Sequence, residues 1–156
     1  MLARIALRLV LAVVVAASVI AGCDAGESRP SAIDHHPTTL AGTSWLVAAV
    51  AGVRPGAVRP PTIAFDAGRA QGDGGCNAFG GGYRYDAATG ALRFDQLVTT
   101  LAACLDEARG AFESRMFEAL GQPTLIVTQQ PDGSLRLSSP AGPAIDLVMV
   151  GPVVTD

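Results

Sequence analysis

Three cysteines carry most of the chemistry open to this chain: Cys23, Cys76 and Cys104. A thiol can act as nucleophile, metal ligand, acylation site or half of a disulfide. A nucleophilic Cys76 or Cys104 needs a histidine partner inside the same domain. The only histidines, His35 and His36, lie in a polar stretch far upstream. Two cysteines alone do not make a zinc site, and a solvated histidine pair in a linker is favoured over a metal-binding one. The chain contains no lysine, which excludes P-loop, Schiff-base and Ser–Lys chemistry. Among the acids, Asp66, Asp73, Asp86 and Asp95 fall in β-rich territory, where a glycosidase-like pair would be sought. Asp66 and Asp86, however, sit at predicted turns, where solvated aspartates belong. The reading therefore assigns no catalytic residue, no metal and no cofactor, and expects no enzyme.

Cys23 has a different context. Arg4 and Arg8 form a short positive segment, followed by an uninterrupted apolar run from Leu9 to Ala21. At about thirteen residues it is short of the roughly twenty needed to span a bilayer, but right for a signal-peptide core. It ends Ile20-Ala21-Gly22-Cys23, which resembles the lipobox of bacterial lipoproteins. An ordinary secretory signal and an uncut signal anchor are the competing readings. Charge, length, small residues and thiol together favour a signal peptide over residues 1–22, with Cys23 as the acylated N-terminus. The two acyl chains of its thioether-linked diacylglyceryl group, palmitate being typical, make a stable anchor where a single chain is marginal. The expected location is the extracytoplasmic side of a membrane in the cell envelope. Loss of Arg4 and Arg8 reduces 11 basic residues to 9 against 14 acidic ones, a mature charge of −5. That balance excludes nucleic acid as a natural partner. With Cys23 used by acylation, Cys76 and Cys104 remain as an even pair outside the cytoplasm and are expected to form a disulfide. Its stabilisation on the chain-entropy estimate is roughly 3–4 kcal/mol.

The elements that must position these residues read as follows. Residues 23–39, polar and broken by Pro30 and Pro37, form a flexible linker. From Leu40 to Val150 turn signals recur at short intervals, the mark of an antiparallel β-rich domain. Thr43–Val50 is the first strand and carries Trp45, the only tryptophan. Thr62–Phe65 pairs through Asp66-Ala67-Gly68 with a strand near Arg69–Gln71. Tyr83 and Tyr85 share a face of a strand leading through a five-residue loop to Leu92 and Phe94. Thr124–Thr128 and Leu135–Ser139 flank a Pro-Asp-Gly turn. Ala144–Val150 closes the domain with Ile145, Leu147 and Met149 on one face, and residues 151–156 form a tail. One segment differs: 106–120 reads as a helix, N-capped by Asp106, with an apolar stripe of Leu105, Ala108, Phe112, Met116 and Leu120. The predicted class is α+β, a curved antiparallel sheet with one helix.

The stretch Gly72–Tyr83 is the most unusual. It fits neither a dinucleotide fingerprint nor a P-loop, so its glycines are read as bulges and close approaches. Gly75-Cys76-Asn77, the following Tyr83, the segment Thr100-Leu101-Ala102-Ala103-Cys104 and the opening Leu40-x-Gly42-Thr43-x-Trp45 together resemble the signatures of the META (HslJ-like) domain. One departure is Ala102, where that family often carries a methionine. The resemblance spans the domain and implies a partly open β-barrel with a helix, often on envelope lipoproteins linked to stress or antibiotic tolerance. It also implies similarity to pilot lipoproteins that hold a lipid tail. Cys76 and Cys104 match the family's recurring cysteines and Asn77 its asparagine, with Tyr83 and Trp45 as further binding or structural candidates. No catalytic residues come with it.

Three functions follow as expectations. The first is a non-enzymatic interaction module binding an envelope protein. The second is a carrier of an apolar ligand or acyl chain within the barrel. The third is a purely structural envelope protein.

Overall fold

In β1, Thr43–Val50, the alternation of the sequence places Trp45 and Val47 in the core with Ser44 facing out. Val50, three residues beyond Val47, is also buried, which strict alternation forbids. The register against β8 shifts between Val47 and Ala49, and that extra residue returns Val50 to the inner face. Seven further strands follow in the computed structural model, which describes residues 35–56 and 59–150. They are β2 (Thr62–Phe65), β3 (Arg69–Asp73), β4 (Ala78–Asp86), β5 (Ala91–Thr99), β6 (Leu125–Gln129), β7 (Leu135–Ser139) and β8 (Gly142–Met149), with α1 (Glu107–Leu120) between β5 and β6.

Each strand pairs antiparallel with its neighbour in sequence, and β8 returns to pair with β1. The result is a closed eight-stranded up-and-down barrel, where the sequence pattern implied a curved sheet and the family resemblance a partly open barrel. Closure removes most of the unpaired strand edges that such a sheet would expose. The narrow point is the β5–β6 seam, whose register has just two pairs, Ala91↔Ile126 and Leu92↔Leu125. Inward-facing side chains fill the barrel, among them Ile63, Phe65, Leu92, Val127, Leu137 and Ile145. The ring of Tyr83 meets Phe65 edge-on at 5.1 Å, and Phe94 stacks on Phe65 at 6.4 Å.

Helix α1 starts where expected. Asp106 is its N-cap, the carboxylate accepting the Arg109 N–H at 3.0 Å. Its inner face differs from the predicted stripe. Phe112, Met116 and Leu120 are buried as expected, but Ala108 is exposed and Leu105 wholly so. Glu113 and Ala119 take their places in the buried arc. The helix packs on β8 and β1, and Phe117 meets Phe79 of β4 edge-on at 5.7 Å.

Three smaller expectations also change. Asp86 pairs with Ala91, so the β4–β5 loop has the four residues 87–90 rather than five. Met149 is 56% exposed, because β8 runs past the packed interior. The end of the predicted linker is docked. The His35 carbonyl accepts the Gln129 N–H at 2.6 Å, the Pro37 carbonyl accepts the Tyr85 hydroxyl at 2.7 Å, and His36 Nδ1 lies 2.7 Å from the Val127 carbonyl. A carbonyl only accepts, so Nδ1 carries the proton. His36 is thus a half-buried docking residue, not part of a solvated pair. The expected signal peptide, the expected acylation site at Cys23 and the predicted tail at 151–156 lie outside the described residues.

Candidate functional site

The glycine-rich stretch forms the turn between β3 and β4 and the receiving surface for α1. Gly74 donates to the Asn77 carbonyl at 2.8 Å, and the Asp73 carboxylate accepts the Gly75 N–H at 2.7 Å. Gly75 has φ +116, a left-handed conformation that a side chain would strain. At Gly74 a Cβ would lie 2.8 Å from Glu113 Oε2 and 2.9 Å from Phe117 Cζ. Glycine there is what lets the helix come close.

Into that turn α1 inserts a carboxylate. Glu113 Oε2 accepts the Cys76 N–H at 2.8 Å and the Asn77 N–H at 2.6 Å, while Oε1 accepts the Asn77 side-chain amide at 2.7 Å. Asn77 in turn reaches the segment that follows β5. Its Oδ1 accepts the Thr100 hydroxyl at 2.9 Å and the Ala102 N–H at 2.7 Å, and its Nδ2 also donates to the Ala102 carbonyl at 3.3 Å. Cys76 and Cys104 are joined as a disulfide with their Cα atoms 5.6 Å apart. Residues 76–77, 100–104 and 113 thus form one clasp.

The chemistry this arrangement offers is restraint. Both Glu113 oxygens are engaged, and Asn77 uses two donors and two acceptors, the full capacity of a carboxamide. Burying a charged carboxylate is tolerable here because three N–H groups converge on it. Among the described residues no buried side-chain N or O lacks a partner, and no three His, Cys, Asp or Glu side chains lie together as a metal site would require.

The clasp therefore brings together three of the residues singled out in the sequence, Cys76, Asn77 and Cys104. Tyr83 is elsewhere, six residues along β4, roughly 20 Å at the usual strand rise. Its hydroxyl donates to the Asp66 carbonyl at 2.9 Å, and burial pushes its pKa upward. Trp45 is a core residue whose indole N–H donates to Thr43 Oγ1 at 2.7 Å. Of the aspartates, Asp86 caps the β4–β5 turn by accepting the Ala88 N–H and the Thr89 hydroxyl, bonds that hold its pKa down. Asp95 faces Arg84 at 3.2 Å. Glu113 is the residue sequence reasoning missed. The available signal was an acid beside Phe112, flanking an apolar stripe on a helix that follows a glycine-rich turn rich in unpaired N–H groups.

Alongside the clasp three shallow grooves adjoin. One of about 300 Å³ is lined by Arg54, Arg115, Asp106 and Phe112. A second of about 330 Å³ is lined by Arg59, Leu105 and the disulfide. A third connects them through Gly56, Gly75 and Phe112. Arg109 borders all three.

Residues 38–150 match the family model of the META domain. The chain is similar to an NMR structure of a protein from Burkholderia xenovorans, with a TM-score of 0.56 and 23% identity over 72% of this chain and 84% of the other. A second NMR structure of a protein gives 0.55 and 21% over 73% and 88%. At these identities the likeness establishes the fold. No curated protein matches.

Proposed function

From the premise that the chain belongs to the META domain family, we propose a lipid-anchored protein of the cell envelope whose barrel is a non-catalytic interaction module. The observation that carries this reading is the saturation of the clasp. The buried carboxylate and carboxamide, the groups best suited to chemistry, are committed to the protein's own backbone and to each other. What remains available to a partner is the outer surface.

Anchoring through Cys23 is supported by the lipobox-like Ile20-Ala21-Gly22-Cys23 and the charged, apolar segment before it. The Cys76–Cys104 disulfide is consistent with an oxidising compartment. A contribution to stress or antibiotic tolerance is the family-level expectation carried over to this chain. The side chains filling the barrel favour recognition on the outside over an acyl chain held within, since a guest would have to displace residues such as Phe65 and Leu92.

Intact-mass spectrometry of the protein purified from its own host's membranes tests the proposal. The expected species begins at Cys23, carries a diacylglyceryl-sized addition, and gives no free thiol until reduced. A chain cleaved elsewhere, or one without the addition, overturns the anchored reading. Native-mode spectra separate the modes of action: a lipid retained beyond the covalent anchor would replace the interaction module with a carrier.

A further inference from the structure

The arginines of the barrel fall into two groups. Arg84 and Arg136 are ion-paired with Asp95 and Asp146, and Arg93 donates to Thr124 Oγ1 at 3.0 Å. Arg54, Arg59, Arg69 and Arg115 are exposed and form no ion pair among the described residues. Of these four, Arg54, Arg59 and Arg115 line the adjoining grooves beside the clasp and Arg69 does not. Three guanidinium groups concentrated on one face of a chain with net charge −3 call for an anionic complement. Asp106 lies in the same grooves, but its carboxylate is engaged as the helix cap with the Arg109 N–H. Arg109 is itself engaged within the protein and is left out of the count of available cations.

Two leucines of the tethered segment stand proud of the surface. Leu105, which lines the second groove, is 100% exposed, and Leu101, four residues earlier, is 97% exposed. Leucines of ordinary loops turn inward, and these two are prevented from doing so. Thr100 and Ala102 are bonded to Asn77 on either side of Leu101, and the disulfide fixes Cys104 immediately before Leu105. The clasp therefore holds two leucines outward, with Leu105 on the groove that Arg59 lines. A protein partner would need a pocket for each protruding side chain, whereas a lipid layer deforms around them. The guanidinium fork matches phosphate oxygens in geometry as well as charge.

We propose that this face binds the phosphate headgroup of an anionic phospholipid, with Arg54, Arg59 and Arg115 on the phosphate and Leu105 and Leu101 in the apolar layer. The inference rests on the envelope reading for its setting, but it does not require acylation of Cys23.

The test uses the full-length chain in an uncharged detergent, titrated with dihexanoyl phosphatidylglycerol, dihexanoyl phosphatidylcholine and inorganic phosphate and followed by calorimetry. Saturable binding of phosphatidylglycerol is expected, at least tenfold tighter than phosphatidylcholine. Arg59→Gln and Arg115→Gln should each weaken it roughly fivefold. Leu105→Ser should weaken the lipid without affecting thermal stability, because that side chain touches nothing in the fold. Equal binding of the two lipids, or arginine variants that bind like wild type, would overturn the proposal. Inorganic phosphate binding as tightly as phosphatidylglycerol would identify a free-anion site instead and also overturn it. A Cys23 found unacylated by mass spectrometry would remove the anchored reading and leave this result standing.

Discussion

Replacing Glu113 with alanine removes the acceptor of three buried or half-buried donors at once: the N–H groups of Cys76 and Asn77 and the side-chain amide of Asn77. A hydrogen bond to a charged acceptor contributes about 1.5–3 kcal/mol net, so simple addition gives about 4.5–9 kcal/mol. Part of that is recoverable. The vacated volume lies beside the half-exposed Cys76, and water entering it can satisfy one or two donors. The expected loss is therefore about 3–5 kcal/mol, in the range found when one member of a buried polar pair is removed. Glu113→Gln keeps the volume but presents an NH2 group to at least one of the donors, and an intermediate loss of about 2 kcal/mol follows. Urea unfolding of the oxidised protein, read by the fluorescence of the single buried Trp45, measures both. A double-mutant cycle with Asn77→Ala then isolates the clasp. The two residues share a bond and hold the same turn, so a coupling of about 1–3 kcal/mol is expected. A Glu113→Ala variant within about 1 kcal/mol of wild type, or strictly additive single losses, would refute the claim that the clasp acts as a unit.

Other predictions rest on independent features. Gly72→Ala should leave the protein largely insoluble or unfolded, because the new Cβ would strike the Thr62 carbonyl and the Phe79 ring. Gly133→Ala, with open space around it but φ +83, should cost only about 1–2 kcal/mol by thermal unfolding. Paired Cys76→Ala and Cys104→Ala substitutions open a loop of 28-residue separation and should lower stability by about 3–4 kcal/mol in urea. Tyr83 and Tyr85, the only tyrosines, both have pKa values raised by burial. Absorbance at alkaline pH should therefore show no tyrosine ionising as early as a free one. The sign follows: the native state retains protons that the unfolded chain releases, so their contribution is complete below about pH 10 and is lost as pH rises through the raised values.

The parts of the fold legible in the sequence are those fixed by short-range pattern. Strands β1, β2 and β7 emerge at their observed limits because alternation is bounded by clear turns, and Asp106 is recognisable as a helix cap. The bulge in β1 is not legible, since nothing local says that Val50 rather than Ala49 must face in. Closure is equally hidden, as it depends on β8 finding β1 a hundred residues away. The site divides along the same line. Cys76 and Cys104 declare themselves by type and number, and Asn77 through the family resemblance, but the reason for Asn77 lies in Glu113, 36 residues on. On a helix drawn from the sequence Glu113 belongs to the polar face. Only the three N–H groups brought to it by the β3–β4 turn make its burial favourable, and the same rotation turns Leu105 and Ala108 out to solvent.

The position of the clasp follows from the weakest point of the barrel. An up-and-down barrel gains most from continuous ladders, yet β5 and β6 share only two register pairs because the chain leaves the sheet between them to build α1. The connection from Thr99 to Glu107 has no ladder to hold it, and its freedom would oppose folding by about 1–2 kcal/mol per residue ordered. Three tethers act on that connection and on the helix it leads to. Asn77 fixes 100 and 102, the disulfide fixes 104, and Glu113 fixes the helix to the same turn. All converge on residues 76 and 77, beside β4, whose ladder with β3 and β5 is extensive. The glycines at 74 and 75 are then a requirement of that convergence, since larger residues would hold the helix off the turn. The polar centre is thus the device that closes the barrel, and recognition is left to the rim it stiffens.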